Sequence, residues 1–116
     1  MTTPAAQPLD EQGHVTLSAA GYGTVTFQPE SFRTWTVSSI NVLTNQGATQ
    51  TPVPRVKVYL GGLGGRVIAQ SWMGNGATAS GGDVSVQPSQ QLVVEWSAGI
   101  PGTVATAYLD GTIEMR

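Results

Sequence analysis

An all-β fold, a single jelly-roll-like β-sandwich of about eight strands, is what this sequence predicts. Three observations point to it. Apolar residues recur at every second position along most of the chain, and no segment keeps a 3.6-residue period for three turns. Gly- and Pro-rich connections separate the runs at intervals of about 8 to 12 residues. The 116 residues make one domain, which at this length buries roughly 65% of its unfolded surface in a single core.

Residues 1–13 carry Pro4 and Pro8, little hydrophobicity and no period, so they read as an extended arm ahead of a sandwich domain over residues 14–116. "HVTLS" then sets Val15 and Leu17 on one face, and "TVTFQP" repeats the pattern with Val25 and Phe27 beyond the Gly21-Tyr22-Gly23 break. These two runs are expected to form a short pair at the sheet edge. "WTVSSINVLT" buries odd positions first (Trp35, Val37) and even ones afterwards (Ile40, Val42). A strand absorbs such a slip of phase with one extra residue, which predicts a β-bulge near Ser38 and Ser39.

"RVKVYL" alternates cleanly, with Val56, Val58 and Leu60 inward and Arg55, Lys57 and Tyr59 outward, and "GGLGG" turns the chain into "RVIAQSW". After the loop "MGNGATASGG" come the short run "DVSV" and a turn at Gln87-Pro88-Ser89. "LVVEW" places Leu92, Val94 and Trp96 on one face. In the last run Ala105, Ala107, Leu109, Ile113 and Met115 share a parity that Gly111 interrupts, so a bend or bulge is expected there. Small Ala105 and Ala107 opposite large Trp side chains let two sheets close at about 10 Å.

Charged residues are 10% of the chain, against about 25% in an ordinary soluble domain, so solubility rests on hydroxyls and amides. Such a surface suits contact with other protein, because uncharged groups cost less to desolvate than ions. Net charge is −2 and the five cations, Arg33, Arg55, Lys57, Arg66 and Arg116, are scattered, which makes nucleic acid an unexpected partner. Without cysteine there is no disulfide framework and no thiolate metal site. The start lacks the basic and apolar regions of a signal peptide and no run approaches 18 apolar residues, so the expectation is a protein made in a cytoplasm and not anchored in a membrane.

Chemistry-bearing groups are few. His14 is the single histidine, next to Asp10 and Glu11, and lacks the second ligand or nucleophile that a metal or catalytic site requires. Asp83, Glu95 and Asp110 fall in or beside strands, and Glu95 points away from the Trp96 face, which disfavours paired carboxylates across a cleft. "GGLGGR" lacks the Lys-Ser/Thr of a phosphate loop and reads as a hairpin connection. No catalytic residue, no metal ligand set and no cofactor is expected. Trp35, Trp72 and Trp96 read as core. Tyr59 and Tyr108, on the outward parity, are the candidate surface contacts.

"VQPSQQLVVEWSAGIPGTVATAYLDGTI", preceded by "TWTVSSINVLT" and "PRVKVYLGG", resembles the small β-sandwich virion proteins of tailed bacteriophages, especially those infecting actinobacteria. A "P-G-x-x-L-x-V-x-W-x-G-G-x-P-G-x-x-A-x-A" ending recurs among their capsid decoration and minor tail proteins. The resemblance spans roughly residues 35–113 and departs from that pattern at Ser89 and Gln90 and at Ser97-Ala98-Gly99. It implies a non-enzymatic structural role on the particle exterior, in many copies.

The expected function is therefore capsid decoration, with the major capsid protein or another virion protein as partner and a homo-oligomer, a trimer among the options, as the form. A minor tail or fibre component is the alternative within that class, and a carbohydrate-binding module for host-surface glycan the alternative outside it. Ordering the arm costs on the order of 12 to 24 kcal/mol of backbone entropy, more than Leu9 and a few alanines and prolines offset at about 25 cal/mol per Å². The arm is thus expected to lie extended on a neighbouring subunit or the capsid protein, with Pro4, Pro8 and Leu9 as contacts. The other option is an extra strand along its own sheet edge.

Overall fold

The computed structural model describes residues 7–47, 49–71, 73–79 and 83–115. Nine strands lie among them: β1 (Gln7–Thr16), β2 (Gly23–Phe27), β3 (Arg33–Thr44), β4 (Arg55–Leu60), β5 (Arg66–Ser71), β6 (Gly76–Ala79), β7 (Val84–Val86), β8 (Leu92–Ser97) and β9 (Val104–Met115). They build two antiparallel sheets. A long one runs β1, β9, β3, with β6 and β7 following one another along the outer edge of β3, and a short one runs β2, β8, β4, β5. With β6 and β7 taken as one broken edge strand, eight strands remain, four per sheet. Apart from the β4 and β5 hairpin, every connection crosses from one sheet to the other, which makes this sandwich a jelly roll.

The core lies between the sheets. Trp96, Leu92, Val94, Ala105, Ala107 and Leu109 are fully buried. Trp96 also satisfies its one donor, giving its Nε1 proton to the Gly74 carbonyl at 3.0 Å. The three main strands of the long sheet, β1, β3 and β9, have 10 to 12 residues and those of the short sheet at most six. Beyond the short sheet, buried Trp35 and Val86 continue the core, closed by two turns tied by Gln28, whose Nε2 donates to the Pro88 carbonyl at 2.9 Å. At the opposite end the Leu17 N–H donates to the Thr103 carbonyl at 2.8 Å, and Gly99 donates to the Gly21 carbonyl at 3.0 Å.

The expected bulge is present. In the ladder between β3 and β9, Val37 pairs with Gly111 and Ser39 with Asp110, leaving Ser38 as the extra residue. Trp35 and Val37 before it and Ile40 and Val42 after it all reach the core. Gly111 answers the bulge rather than bulging itself: a Cβ there would collide with the Thr36 carbonyl oxygen and lie 3.0 Å from the Ser38 nitrogen.

Two expectations are corrected. The "HVTLS" and "TVTFQ" runs do lie at sheet edges, but at the edges of opposite sheets, β1 on β9 and β2 on β8. They face each other through the core, where a Cβ on Gly23 would stand 2.9 Å from Val15 Cγ1. The arm is corrected likewise over residues 7–13, which form most of β1 and pair with β9 from Gln7 opposite Ile113 to Gly13 opposite Ala107. Leu9 fills this chain's own core at 2% exposure, not a neighbour's pocket. Main-chain bonds to β9 and the burial of Leu9 offset the cost of ordering these seven residues. Pro8 is exposed on this strand, and Pro4 lies outside the described residues.

Candidate functional site

Both candidate tyrosines keep their outward direction, but the sandwich sets them apart. Tyr59 lies on the outer face of the short sheet and Tyr108 on that of the long sheet, with the whole core between them. They cannot share one ligand. Trp35 and Trp96 are core, and Trp72 lies outside the described residues.

Tyr59 instead shares a carboxylate with Tyr22. The Tyr22 hydroxyl donates to Glu95 Oε2 at 2.9 Å and the Tyr59 hydroxyl donates to Glu95 Oε1 at 3.1 Å, so one side chain of β8 is clamped from both sides. Partial burial, the bond to Glu95 and its negative charge together push both phenols above their ordinary value of 10.0, and Tyr59 adds a smaller repulsion at Tyr22. Lys57 stands opposite Glu95 in the register, and Val93, opposite Tyr59, is buried although its parity points outward. Tyr22 escaped the sequence reading because it lies in a glycine-flanked turn. Extending the outward parity of Thr24 and Thr26 back by one step would have found it.

The chain matches no protein-family model, no curated protein and no solved structure. Its own surfaces are therefore the ground for a functional reading.

The outer face of the long sheet is broad and cation-free. Across β1, β9 and β3 its rows read Gln12, Tyr108, Asn41, then His14, Thr106, Leu43, and on the other side Pro8, Thr112, Thr36. No lysine or arginine stands in these rows, and Leu43 is 39% exposed. The acidic row, Asp10 opposite Asp110 next to Ser39, sets two carboxylates side by side, with the Ser39 hydroxyl donating to Asp110 at 3.4 Å. Among the described residues no three His, Cys, Asp or Glu side chains converge on a point where a metal ion would sit. Glu95 and Asp110 occupy opposite faces, and Asp83 lies apart from both.

Asp83 borders a cleft of about 500 Å³. Among the described residues, 37–40 of β3, Leu60 of β4, 66–69 of β5 and 83–85 around β7 line it. One further feature was not legible in the sequence. Phe32, in the turn before β3, is 73% exposed and held at φ 65°, a left-handed conformation that a bulky side chain seldom adopts.

Proposed function

We propose that this chain is a non-enzymatic structural protein of a tailed-bacteriophage virion, a decoration protein that lies on the outer surface of the major capsid lattice and stabilises the particle. The supporting observation is the outer face of the long sheet. It offers amides, hydroxyls, a tyrosine and an exposed leucine in rows that are cheap to desolvate against protein, and in Asp10 and Asp110 an acidic row that a cation of the partner would have to meet. The jelly roll adds a fold-level analogy, since capsid and lectin domains use this architecture. With residues 7–13 committed to their own sheet, docking rests on this face. A minor tail or fibre position uses the same face.

A glycan-binding reading draws on a different surface, the Tyr22, Glu95 and Tyr59 group, where an exposed ring lies beside a carboxylate able to accept sugar hydroxyls. One set of charge insertions separates the two. Tyr108→Lys and Gln12→Lys on the long sheet are expected to abolish co-sedimentation with purified capsids at unchanged melting temperature, while Thr24→Lys on the short sheet leaves it intact. Loss with Thr24→Lys alone, or full occupancy with Tyr108→Lys, overturns docking through the long sheet.

A further inference from the structure

Glu95 sits in the middle of the short sheet's outer face. Its strand, β8, lies between β2 and β4, and in the register Thr24 stands on one side of it and Lys57 on the other. Tyr22, one residue before β2, and Tyr59, two residues beyond Lys57, reach it from diagonally opposite corners. Each phenol holds a different oxygen, at 2.9 and 3.1 Å. The carboxylate is thus already fixed in the free protein, and little rotamer freedom remains for a ligand to remove.

The chemistry of the group narrows what can bind there. A carboxylate only accepts, at about four lone-pair positions, and the two phenols leave about half of them open. The ligand must therefore donate. An anion is repelled by Glu95, while a bare cation meets Lys57 beside it and Arg55 on the same face of β4. A peptide finds no free main chain to pair with, since β8 has a partner strand on both sides. Neutral donors remain. Tyr22 is 38% exposed, so part of its ring is open to an apolar surface lying next to those donors, and Thr24 adds a hydroxyl beside the carboxylate. A pyranose meets both demands, with adjacent hydroxyls on its rim and a C–H face.

We infer that this face binds a neutral saccharide, two adjacent hydroxyls of one pyranose donating to the open positions of Glu95 and its C–H face lying on the Tyr22 ring. Saccharide binding here rests on the glycan reading of the same group and is independent of docking through the long sheet, which lies across the core. A copy resting on its long sheet presents the short sheet outward, so one molecule can do both.

The test is an amide chemical-shift titration with the methyl glycosides of glucose, mannose and galactose, which between them present adjacent hydroxyls in diequatorial and axial-equatorial arrangement. Shifts at residues 22–24, 57–59 and 93–97 are expected with at least one of them. Its permethylated form, which keeps the C–H face and loses every donor, is expected to leave these residues unmoved. Glu95→Gln keeps the shape and is expected to weaken the glycoside about tenfold, the size of one charge-assisted bond. Thr24→Lys, which crowds the site from β2, is expected to lose the glycoside and keep capsid co-sedimentation, and Tyr108→Lys to do the reverse, so that either reading can fail without the other. Melting temperatures confirm that each variant is folded. No shift on this face with any of the three glycosides, equal binding of the permethylated form, undiminished binding by Glu95→Gln, or tighter binding of methyl glucuronide than of the glucoside overturns the inference.

Discussion

Trp96 concentrates the energetics of the core in one side chain. It is fully buried and donates to the Gly74 carbonyl, so Trp96→Ala is expected to cost about 3 to 5 kcal/mol in chemical denaturation. Trp96→Phe refills most of the volume but leaves that carbonyl unpaired, at about 1 to 3 kcal/mol. The tyrosines on Glu95 act through protonation. Their folded pKa values lie above 10.0, first through burial and then through the carboxylate they bond. A group whose pKa rises on folding contributes stability in full below its unfolded value and loses it as pH rises through the folded one. Unfolding free energy is therefore expected to hold up to about pH 10 and fall above it. Glu95→Gln, which removes the charge, is expected to bring both phenols part-way back toward 10.0 in a tyrosinate absorbance titration and to flatten that fall. The core was legible residue by residue, because a two-residue period sorts inward from outward without reference to partners. The clamp was not, because it joins residues 73 and 36 positions apart whose meeting depends on which strands become neighbours.

At the scale of elements, β1 and the bulge of β3 define what the pattern could and could not show. In "WTVSSINVLT" the break in parity falls inside one strongly apolar run, so the extra residue announced itself. In "QPLDEQGHVT" only Leu9 and Val15 are large and apolar. Between them Glu11 takes the parity of buried Leu109 yet reaches solvent, and Gly13 has no side chain because Val25 occupies its place. Proline and an inward-parity charge are devices that keep an unpaired edge from pairing further, and here they hid the strand itself. Deleting residues 2–12 is accordingly expected to lower the melting temperature sharply, since it strips the edge of β9 and uncovers the core that Leu9 fills. An unchanged melting temperature would refute the pairing. Gly111→Ala is expected to be as damaging as a core truncation, about 2 to 5 kcal/mol, because the obstructing atoms are backbone. Deleting Ser38 as well would test the coupling: a plain strand tolerates alanine, so the double variant should recover part of the loss.

For the molecule as a whole, two sheets of unequal length give two different outer faces. The long sheet supplies a face whose rows across β1, β9 and β3 hold no lysine or arginine, and the short sheet a face centred on a clamped carboxylate. The division into two sheets was foreseeable from strand number and spacing. The order of strands was not, because period alone is silent about which strand lies beside which. That order is why Tyr59 and Tyr108, alike in the sequence, end on opposite sides.

The same strand order sets a schedule for biosynthesis. β1 and β3 both lean on β9, and β2 and β4 both lean on β8, so most of the ladders wait for residues beyond 92. Only the β4 and β5 hairpin and the edge pairs of β3 with β6 and β7 have their partners earlier. Until the ribosome has delivered β8 and β9, the nascent chain carries β-prone segments without neighbours and with few charges to keep copies apart. Closure then joins strands nearly a hundred residues apart, the kind of topology that folds in milliseconds to seconds rather than microseconds. Where identical chains meet during that interval, the proline and the inward-parity glutamate of β1 matter before the fold exists as much as after.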